Sequence, residues 1–131
     1  MTFLQFGDIV TISGTLTYYE GRYSIILKYL SDITITKPLT RSVFIIDLNE
    51  NDTADVVRIA GNVTSITYTG ALYLEINDST SNVYYYISPS ILEYISINET
   101  IVYSYIACQG VVKIQNNRLE IIARDKNDIF L

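Results

Sequence analysis

The stretch GNVTSITYTGALYLEINDSTSNVYYYI, which runs from Gly61 to Ile87, contains strand patterns separated by two turn signals. Thr69–Gly70 marks the first turn and Asn77–Ser79 the second, because glycine, asparagine, aspartate and serine stabilise turn geometry. Between the turns, apolar and polar residues alternate as they do in strands that are buried on one face. The predicted strands are Val56–Tyr68, Ala71–Asn77 and Asn82–Ser88.

A strand with an internal glycine, followed by a turn and a second strand, occurs three times along the chain. The glycines are Gly14, Gly61 and Gly110. A glycine inside a strand marks a bend or a close approach of another backbone. Long strands bent in this way are what a small, strongly curved barrel requires. Three ordinary hairpins in a flat meander are the alternative, but glycines in three corresponding places favour the barrel.

One helix is predicted after the third strand of this meander. Ser88 suits the N-cap, Pro89 suits the first helical position, and an isoleucine- and leucine-rich stripe follows. We expect the helix to cover Pro89–Ile97 and to end at Asn98. Two further strands are predicted at Ile101–Gln115 and Arg118–Arg124. The order β-β-β-α-β-β is that of an OB-fold, a five-stranded Greek-key barrel, so the predicted fold class is all-β with one short helix.

Residues 55–124 resemble the nucleic-acid-binding OB-folds of the anticodon-binding and replication protein A type. The segments that carry the resemblance are VRIAGNVTSI, ALYLEINDSTSNVYYYI and ACQGVVKIQNNRLEIIA. They contain an apolar-x-Gly-x-Val opening, a strand that ends before an Asn-Asp-Ser turn, and a last hairpin that opens with Gly-x-Val and closes on Leu-x-Ile. The resemblance implies an OB-fold and a nucleic-acid ligand, although OB-folds also serve as protein adaptors.

The N-terminal part is expected to be a β-strand extension, residues 1–53, packed on a barrel of residues 54–131. The segment Gly7–Leu30 has the pattern of a hairpin, and Arg41–Leu48 has that of one more strand. The acidic, polar stretch Asp47–Asp55 is the expected junction. A second frame stays open, in which the barrel begins at Gly7 and the C-terminal half is the appendage.

The composition excludes several classes of function. The 131 residues include no histidine and one cysteine, Cys108, so Ser-His-Asp and Cys-His catalysis is excluded and no enzyme is expected. No phosphate loop or calcium loop is present, so neither a cofactor nor a metal is predicted. Cys108 lies in an apolar alternation and is expected to be a buried, inert thiol. No signal-peptide or membrane-span pattern is found, so the expected protein is soluble and cytoplasmic, without a membrane partner.

The outward tyrosines are the candidate ligand-binding residues. Period-two alternation assigns Leu72, Leu74, Ile76, Val83, Tyr85 and Ile87 to the core. It leaves Tyr73, Tyr84 and Tyr86 on the outer face of two paired strands. In OB-folds that bind single strands, this face carries base-stacking aromatic residues, so the resemblance implies that role for the three tyrosines. The alternative is that they cover the sheet or meet the N-terminal strands.

Four cations complete the predicted site: Arg58, Lys113, Arg118 and Arg124. They can line one side of a groove and form a weak track for phosphates. The alternative is a solvated rim that blunts an edge strand. The formal net charge of −5 argues against a binder held mainly by phosphate contacts.

Two classes of function follow. The first is a non-catalytic nucleic-acid-associated protein, which binds single-stranded DNA or RNA weakly or acts as a subunit of a replication, repair or transcription assembly. The second is a structural protein–protein interaction subunit that never touches nucleic acid. It would be similar to the small acidic OB-like subunit of archaeal and eukaryotic RNA polymerases, from which the order of elements nevertheless departs. A positive groove beside the tyrosines favours the first class, and a uniformly negative surface with an apolar patch favours the second.

Overall fold

The computed structural model describes residues 4–97 and 99–130. The chain forms two compact units, Met1–Pro38 and Leu39–Leu131. The second unit thus begins at Leu39, whereas the sequence analysis placed the start of the barrel at residue 54. The reason is that the segment after Leu39 already belongs to the barrel: Arg41–Ser42 pairs with a barrel strand, and Ile45 is buried in its core. The packing of residues 1–53 on the barrel stays a prediction.

From residue 4 onward, the first unit contains two separate two-stranded sheets. Strands β2 (Thr15–Tyr19) and β3 (Arg22–Ile26) form an antiparallel hairpin, and β1 (Ile9–Ile12) pairs antiparallel with β4 (Ile33–Thr36). A 3-10 turn at Leu30–Asp32 leads into β4. Glu20 and Gly21 both have positive φ, 50° and 81°, which is the conformation of a two-residue hairpin turn whose twist suits the strands. The predicted hairpin in this segment is confirmed.

Over its described residues, 39–97 and 99–130, the second unit holds seven strands and one helix. The strands are β5 (Arg41–Ser42), β6 (Val56–Tyr68), β7 (Leu72–Asn77), β8 (Asn82–Ile87), β9 (Tyr105–Gln115), β10 (Arg118–Ile122) and β11 (Ile129–Phe130). The helix is α1 (Pro89–Leu92), and 3-10 turns lie at Ile45–Asp47, Glu50–Asp52, Glu99–Ile101 and Lys126–Asp128.

The strand pairing closes a barrel. Strands β6, β7 and β8 form an antiparallel meander, β8 pairs parallel with β10, β10 pairs antiparallel with β9, and β9 returns antiparallel to β6. Strand β5 adds to β6 and β11 adds to β9. The predicted five-stranded Greek-key barrel of the OB type is confirmed.

The core follows the predicted alternation. All six predicted inward residues of β7 and β8 are buried and belong to the hydrophobic core. Tyr85 is the largest of them, and its hydroxyl donates a hydrogen bond of 2.6 Å to the carbonyl oxygen of Gln109. Cys108 is fully buried, and this burial raises the pKa of its thiol far above the usual value. A thiol kept protonated in this way is unreactive, as expected.

Two glycines permit the close approach of strands that barrel closure demands. Gly61 lies where β6 changes partners: it pairs with Ile106 of β9, and the next residue pairs with Asn77 of β7. A Cβ atom at Gly61 would collide with the carbonyl oxygen of Asn77. A Cβ atom at Gly110 would collide with the carbonyl oxygen of Ile122 in the same manner. The glycines predicted to mark close backbone approach do so.

Two predicted elements are corrected. The helix covers only Pro89–Leu92, because Ser88 does not cap it with a side-chain hydrogen bond and the isoleucines that follow are poor helix formers; Ile95 and Ile97 still pack against the core. The predicted helix end at Asn98 lies outside the described residues. Arg41–Leu48 is not one strand, since only Arg41–Ser42 pairs with β6.

The last two predicted strands are shortened at one end each. The fourth strand begins at Tyr105 rather than Ile101, because a 3-10 turn occupies Glu99–Ile101. The fifth ends at Ile122 rather than Arg124. Within the described part of the chain, no helix has the length and apolar character needed to cross a membrane.

Candidate nucleic-acid interface

The three outward tyrosines form one cluster on β7 and β8. Tyr73 and Tyr86 are direct cross-strand partners, and their ring centroids lie 5.1 Å apart. The ring of Tyr84 meets that of Tyr73 edge-on, with the centroids 6.5 Å apart. Each ring is half-buried, so part of each stays accessible. The alternation correctly separated these three from Tyr85, which is fully buried between Tyr84 and Tyr86 in the sequence.

Arg118 joins the tyrosine cluster from the neighbouring strand. It opens β10, which runs parallel to β8. Its guanidinium carbon lies 3.6 Å from the centroid of Tyr84 and 5.6 Å from that of Tyr73. Such contacts between a cation and aromatic faces are favourable. We call Tyr73, Tyr84, Tyr86 and Arg118 the aromatic platform.

A buried carboxylate lies next to the aromatic platform. Glu120 is fully buried, and its Oε2 atom lies 3.7 Å from Nε of Arg118. The side-chain amides of Gln115 and Asn116 each approach its Oε1 atom to 3.5 Å, and both amides also reach the hydroxyl of Tyr73. No role for Glu120 was predicted from the sequence. The available signal was an acidic residue in a strand of apolar residues, two positions after Arg118.

The other predicted cations lie in three different places. Lys113 is exposed on β9, opposite Glu120 in the register, and therefore one strand beyond the aromatic platform. Arg124 is bound to the buried Asp128, to which its Nε and Nη2 atoms donate hydrogen bonds of 2.9 and 2.8 Å. Arg58 stacks on Phe130, 4.3 Å from the ring centroid.

Arg58 is also remote along its strand. It pairs with Gln109 of β9, whereas the residue of β6 that pairs with Tyr73 is Thr67, nine positions further on. The structure therefore brings the three tyrosines, Arg118 and Lys113 to adjacent strands. It does not bring Arg58 or Arg124 to them.

A groove of about 390 Å³ opens beside the aromatic platform. Its apolar wall comes from the segment between β5 and β6 together with β8 and β10, and two members of the platform, Tyr84 and Arg118, also line it. It is lined by Ile45, Ile46, Leu48, Ser81, Asn82, Val83, Tyr84, Arg118 and Leu119. The first three of these were not predicted as site residues, because their apolar pattern predicted a regular strand.

The turn between β7 and β8 holds this wall in place. The carboxylate of Asp78 accepts hydrogen bonds from the backbone N–H groups of Ile45, Thr80 and Ser81 and from the hydroxyl of Thr80. Partial burial acts to raise the pKa of Asp78, but these hydrogen bonds outweigh it and hold the pKa below the usual value. Asp78 is thus a charged anchor between the turn and the segment that lines the groove.

This face combines aromatic, amide and cationic groups with an apolar groove. Among residues 4–97 and 99–130, no three His, Cys, Asp or Glu side chains are grouped so that they could hold a metal ion. The face offers aromatic ring faces, one planar cation, amide groups at its edge and an apolar groove. Glu75 and Glu120 balance Arg118 and Lys113 locally, so the face is not strongly positive.

Comparisons with known proteins support the fold and no more. The sequence matches no protein-family model, and no curated protein is similar to it in sequence. Among solved structures, OBody AM3L09 bound to hen egg-white lysozyme is similar with a TM-score of 0.51 and 14% identity, over 67% of this chain and 91% of that one. OBody AM1L10 bound to the same protein has a TM-score of 0.47 and 16% identity, over 61% and 84% of the two chains.

A third solved structure is asparaginyl-tRNA synthetase from Pyrococcus horikoshii, complexed with asparaginyl-adenylate. It is similar with a TM-score of 0.46 and 22% identity, over 63% of this chain and 22% of that one. Of the three, OBody AM3L09 alone reaches a TM-score above 0.5, and at 14% identity its likeness to this chain concerns the fold alone.

Proposed function

We propose that this chain is a non-catalytic OB-fold protein that binds single-stranded DNA or RNA weakly through the outer face of β7, β8 and β10. The observation that carries the proposal is the aromatic platform: the ring of Tyr73 meets the other two tyrosine rings, Arg118 lies on Tyr84, and all four side chains stay partly accessible. Every base has a flat π-face, so stacking on such a platform is favourable and tolerant of sequence.

The adjacent groove supports the same function. Its apolar wall can shelter a base or sugar from water beside Tyr84, and Ser81 and Asn82 supply polar groups at its edge. Single-strand-binding OB-folds combine stacking residues with loops that hold the strand, and here residues 45–48 and the turn at Ser81 border the stacking residues.

The charge distribution predicts a weak, modestly salt-dependent interaction. Arg118 and Lys113 are the cations that the register places at this face, and two glutamates offset them. Binding driven by a few phosphate contacts loses less affinity with added salt than binding by a strongly basic protein. Stacking then supplies a large share of the affinity for nucleic acid. A basic partner in a replication, repair or transcription assembly would increase that affinity.

A second function, that of a protein–protein interaction subunit, is favoured by a different observation. The net charge is −5, and the first unit exposes large apolar side chains such as Leu16, Tyr18 and Leu30. Exposed apolar patches often mark contacts with other proteins. The OB-like fold also occurs in an OBody that is bound to lysozyme, so the fold does not choose between the two classes of ligand.

Direct binding measurements decide between these functions. We expect fluorescently labelled oligo-dT and oligo-U to bind the full chain at low salt, with a moderate loss of affinity at physiological salt. Tyr73→Ala, Tyr84→Ala and Tyr86→Ala should each weaken binding by about 1–3 kcal/mol, with little regard to base identity. Absence of any binding at low salt, where phosphate attraction is strongest, would refute nucleic-acid binding and leave the interaction subunit as the better proposal.

A further inference from the structure

Arg118 covers one face of the Tyr84 ring, so a base that approaches from that side meets the guanidinium and not the ring. The guanidinium carbon lies 3.6 Å from the ring centroid, which is van der Waals contact. At this distance the guanidinium must lie nearly flat on the ring, because an edge-on approach would bring one of its nitrogens too close to the ring atoms. The face of Tyr84 under Arg118 is therefore already occupied.

Glu120 holds Arg118 in this position. The carboxylate is fully buried, and the 3.7 Å separation between its Oε2 atom and Nε of Arg118 makes an ion pair. Within the described part of the chain neither of these two atoms has a hydrogen-bond partner, so each depends on the other's charge. A buried carboxylate is strongly destabilised without a cation, which gives Arg118 a reason to stay in place.

Part of the Arg118 side chain remains accessible to solvent. The side chain of Arg118 is 39% exposed, although it rests on Tyr84 on one side. Arginine guanidinium planes stack on aromatic rings and on bases, whereas a lysine ammonium is a hydrated point charge with no plane. Arg118 is therefore a second layer on the tyrosine cluster, flat and positively charged.

We propose that Arg118 is itself a base-stacking residue: an unpaired base stacks on the guanidinium, which is sandwiched between that base and Tyr84. This inference rests on the proposed function and names its ligand class, single strands with accessible base faces rather than duplexes. Arg118 and Lys113 then have different roles in binding. Both were predicted from the sequence to contact phosphates, but the guanidinium of Arg118 lies on the ring of Tyr84, whereas Lys113 pairs with Glu120 on the neighbouring strand.

The test compares two strands that differ only in their bases. One is labelled oligo-dT, and the other is an abasic oligomer of equal length, which keeps the phosphates and sugars. Arg118→Lys conserves the charge but removes the plane, and Lys113→Gln removes a charge. Arg22→Lys, an exposed Arg-to-Lys change in β3 of the first unit, is the matched control.

We expect the wild type to prefer oligo-dT over the abasic strand. Arg118→Lys should weaken oligo-dT binding about 10-fold, a stacking-sized loss, while abasic binding changes less than about twofold. Lys113→Gln should weaken both strands equally and lower the salt dependence. Arg22→Lys should leave both affinities unchanged.

Each failure has its own meaning. If the wild type binds neither strand, the proposed function fails and the inference falls with it. Suppose instead that the wild type binds oligo-dT. The stacking role of Arg118 alone is then overturned if Arg118→Lys binds oligo-dT normally, or if it loses affinity for oligo-dT and for the abasic oligomer equally. Equal wild-type affinity for the two strands overturns it as well.

A second variant covers the case in which Arg118→Lys fails to fold, which circular dichroism would reveal. Tyr84→Leu keeps apolar cover but removes the ring that supports the guanidinium. We expect Tyr84→Leu to reduce the preference for oligo-dT over the abasic strand about 10-fold, because the guanidinium of Arg118 is no longer held in a fixed orientation by the ring. An unchanged preference in a folded Tyr84→Leu protein would overturn the sandwich.

Discussion

In the barrel, Val57, Leu74 and Ile121 are completely buried, whereas in the first unit no hydrophobic residue among residues 4–38 is buried. The two regions draw on the same residues, since both are rich in isoleucine, tyrosine and threonine. They also differ in charge. Residues 1–38 hold as many basic as acidic residues, so the whole net charge of −5 falls on residues 39–131.

The hairpin of β2 and β3 shows why alternation alone does not make a core. Leu16 faces Ile25 and Tyr18 faces Tyr23 across the hairpin, so four large side chains share one face. They are nevertheless exposed, by 50% at Ile25 and up to 71% at Tyr23. A two-stranded sheet has nothing of its own to cover such a face, while a barrel closes its inward faces on one another.

The largest expected difference between the regions concerns two tyrosines. Tyr85 is fully buried and hydrogen-bonded in the barrel, and Tyr23 stands on the open face of the hairpin. Tyr85→Ala should destabilise the protein by about 3–5 kcal/mol, and Tyr23→Ala by less than about 0.5 kcal/mol, as measured by urea denaturation. A comparable loss for Tyr23→Ala would show that the hairpin face is covered in solution.

A pair of glycines gives the next largest effect. A Cβ atom at Gly61 collides with the Asn77 carbonyl, and one at Gly14 meets the Ile26 carbonyl at 2.5 Å. Gly61→Val should cost about 1–3 kcal/mol, because the closed barrel cannot open the contact. Gly14→Val should leave the denaturation midpoint of the barrel unchanged, because β2 and β3 belong to no closed sheet. Equal shifts would mean that the two regions unfold as one.

The smallest expected effect is the pH dependence contributed by Asp78. The pKa of Asp78 is lower in the folded protein than the value of about 3.9 in unfolded chains. The contribution of its charge to the free energy of unfolding is therefore fully present above pH 4 and is lost as the pH falls through the folded pKa. Asp78→Asn should therefore cost about 1 kcal/mol at pH 7 and progressively less below pH 4. Thermal melting of both proteins across this range measures it. A difference that stays constant from pH 7 to pH 3 would show that the charge of Asp78 does not matter.

The sequence predicted the barrel well because its signals are local. Val56–Tyr68 was predicted with both ends correct, since its alternation is long and turns flank it. The prediction of one strand over Arg41–Leu48 was wrong. The apolar residues of this segment fit a strand pattern, but Ile45 packs into the barrel from a 3-10 turn. The helix after Pro89 was overestimated, because Ile95 and Ile97 fit a helical stripe and yet reach the core without one.

The candidate site divides in the same way. By itself the sequence determined that Tyr73, Tyr84 and Tyr86 face outward and Tyr85 inward, because each strand's own pleat sends successive side chains to opposite faces. Only the tertiary structure decided which outward residues touch. Arg118 lies on Tyr84 because β10 pairs parallel with β8. Arg124 is bound to Asp128 because the chain turns back towards β11 after β10. Pleat direction is a property of one strand, whereas the register between β8 and β10 arises only when the whole barrel closes.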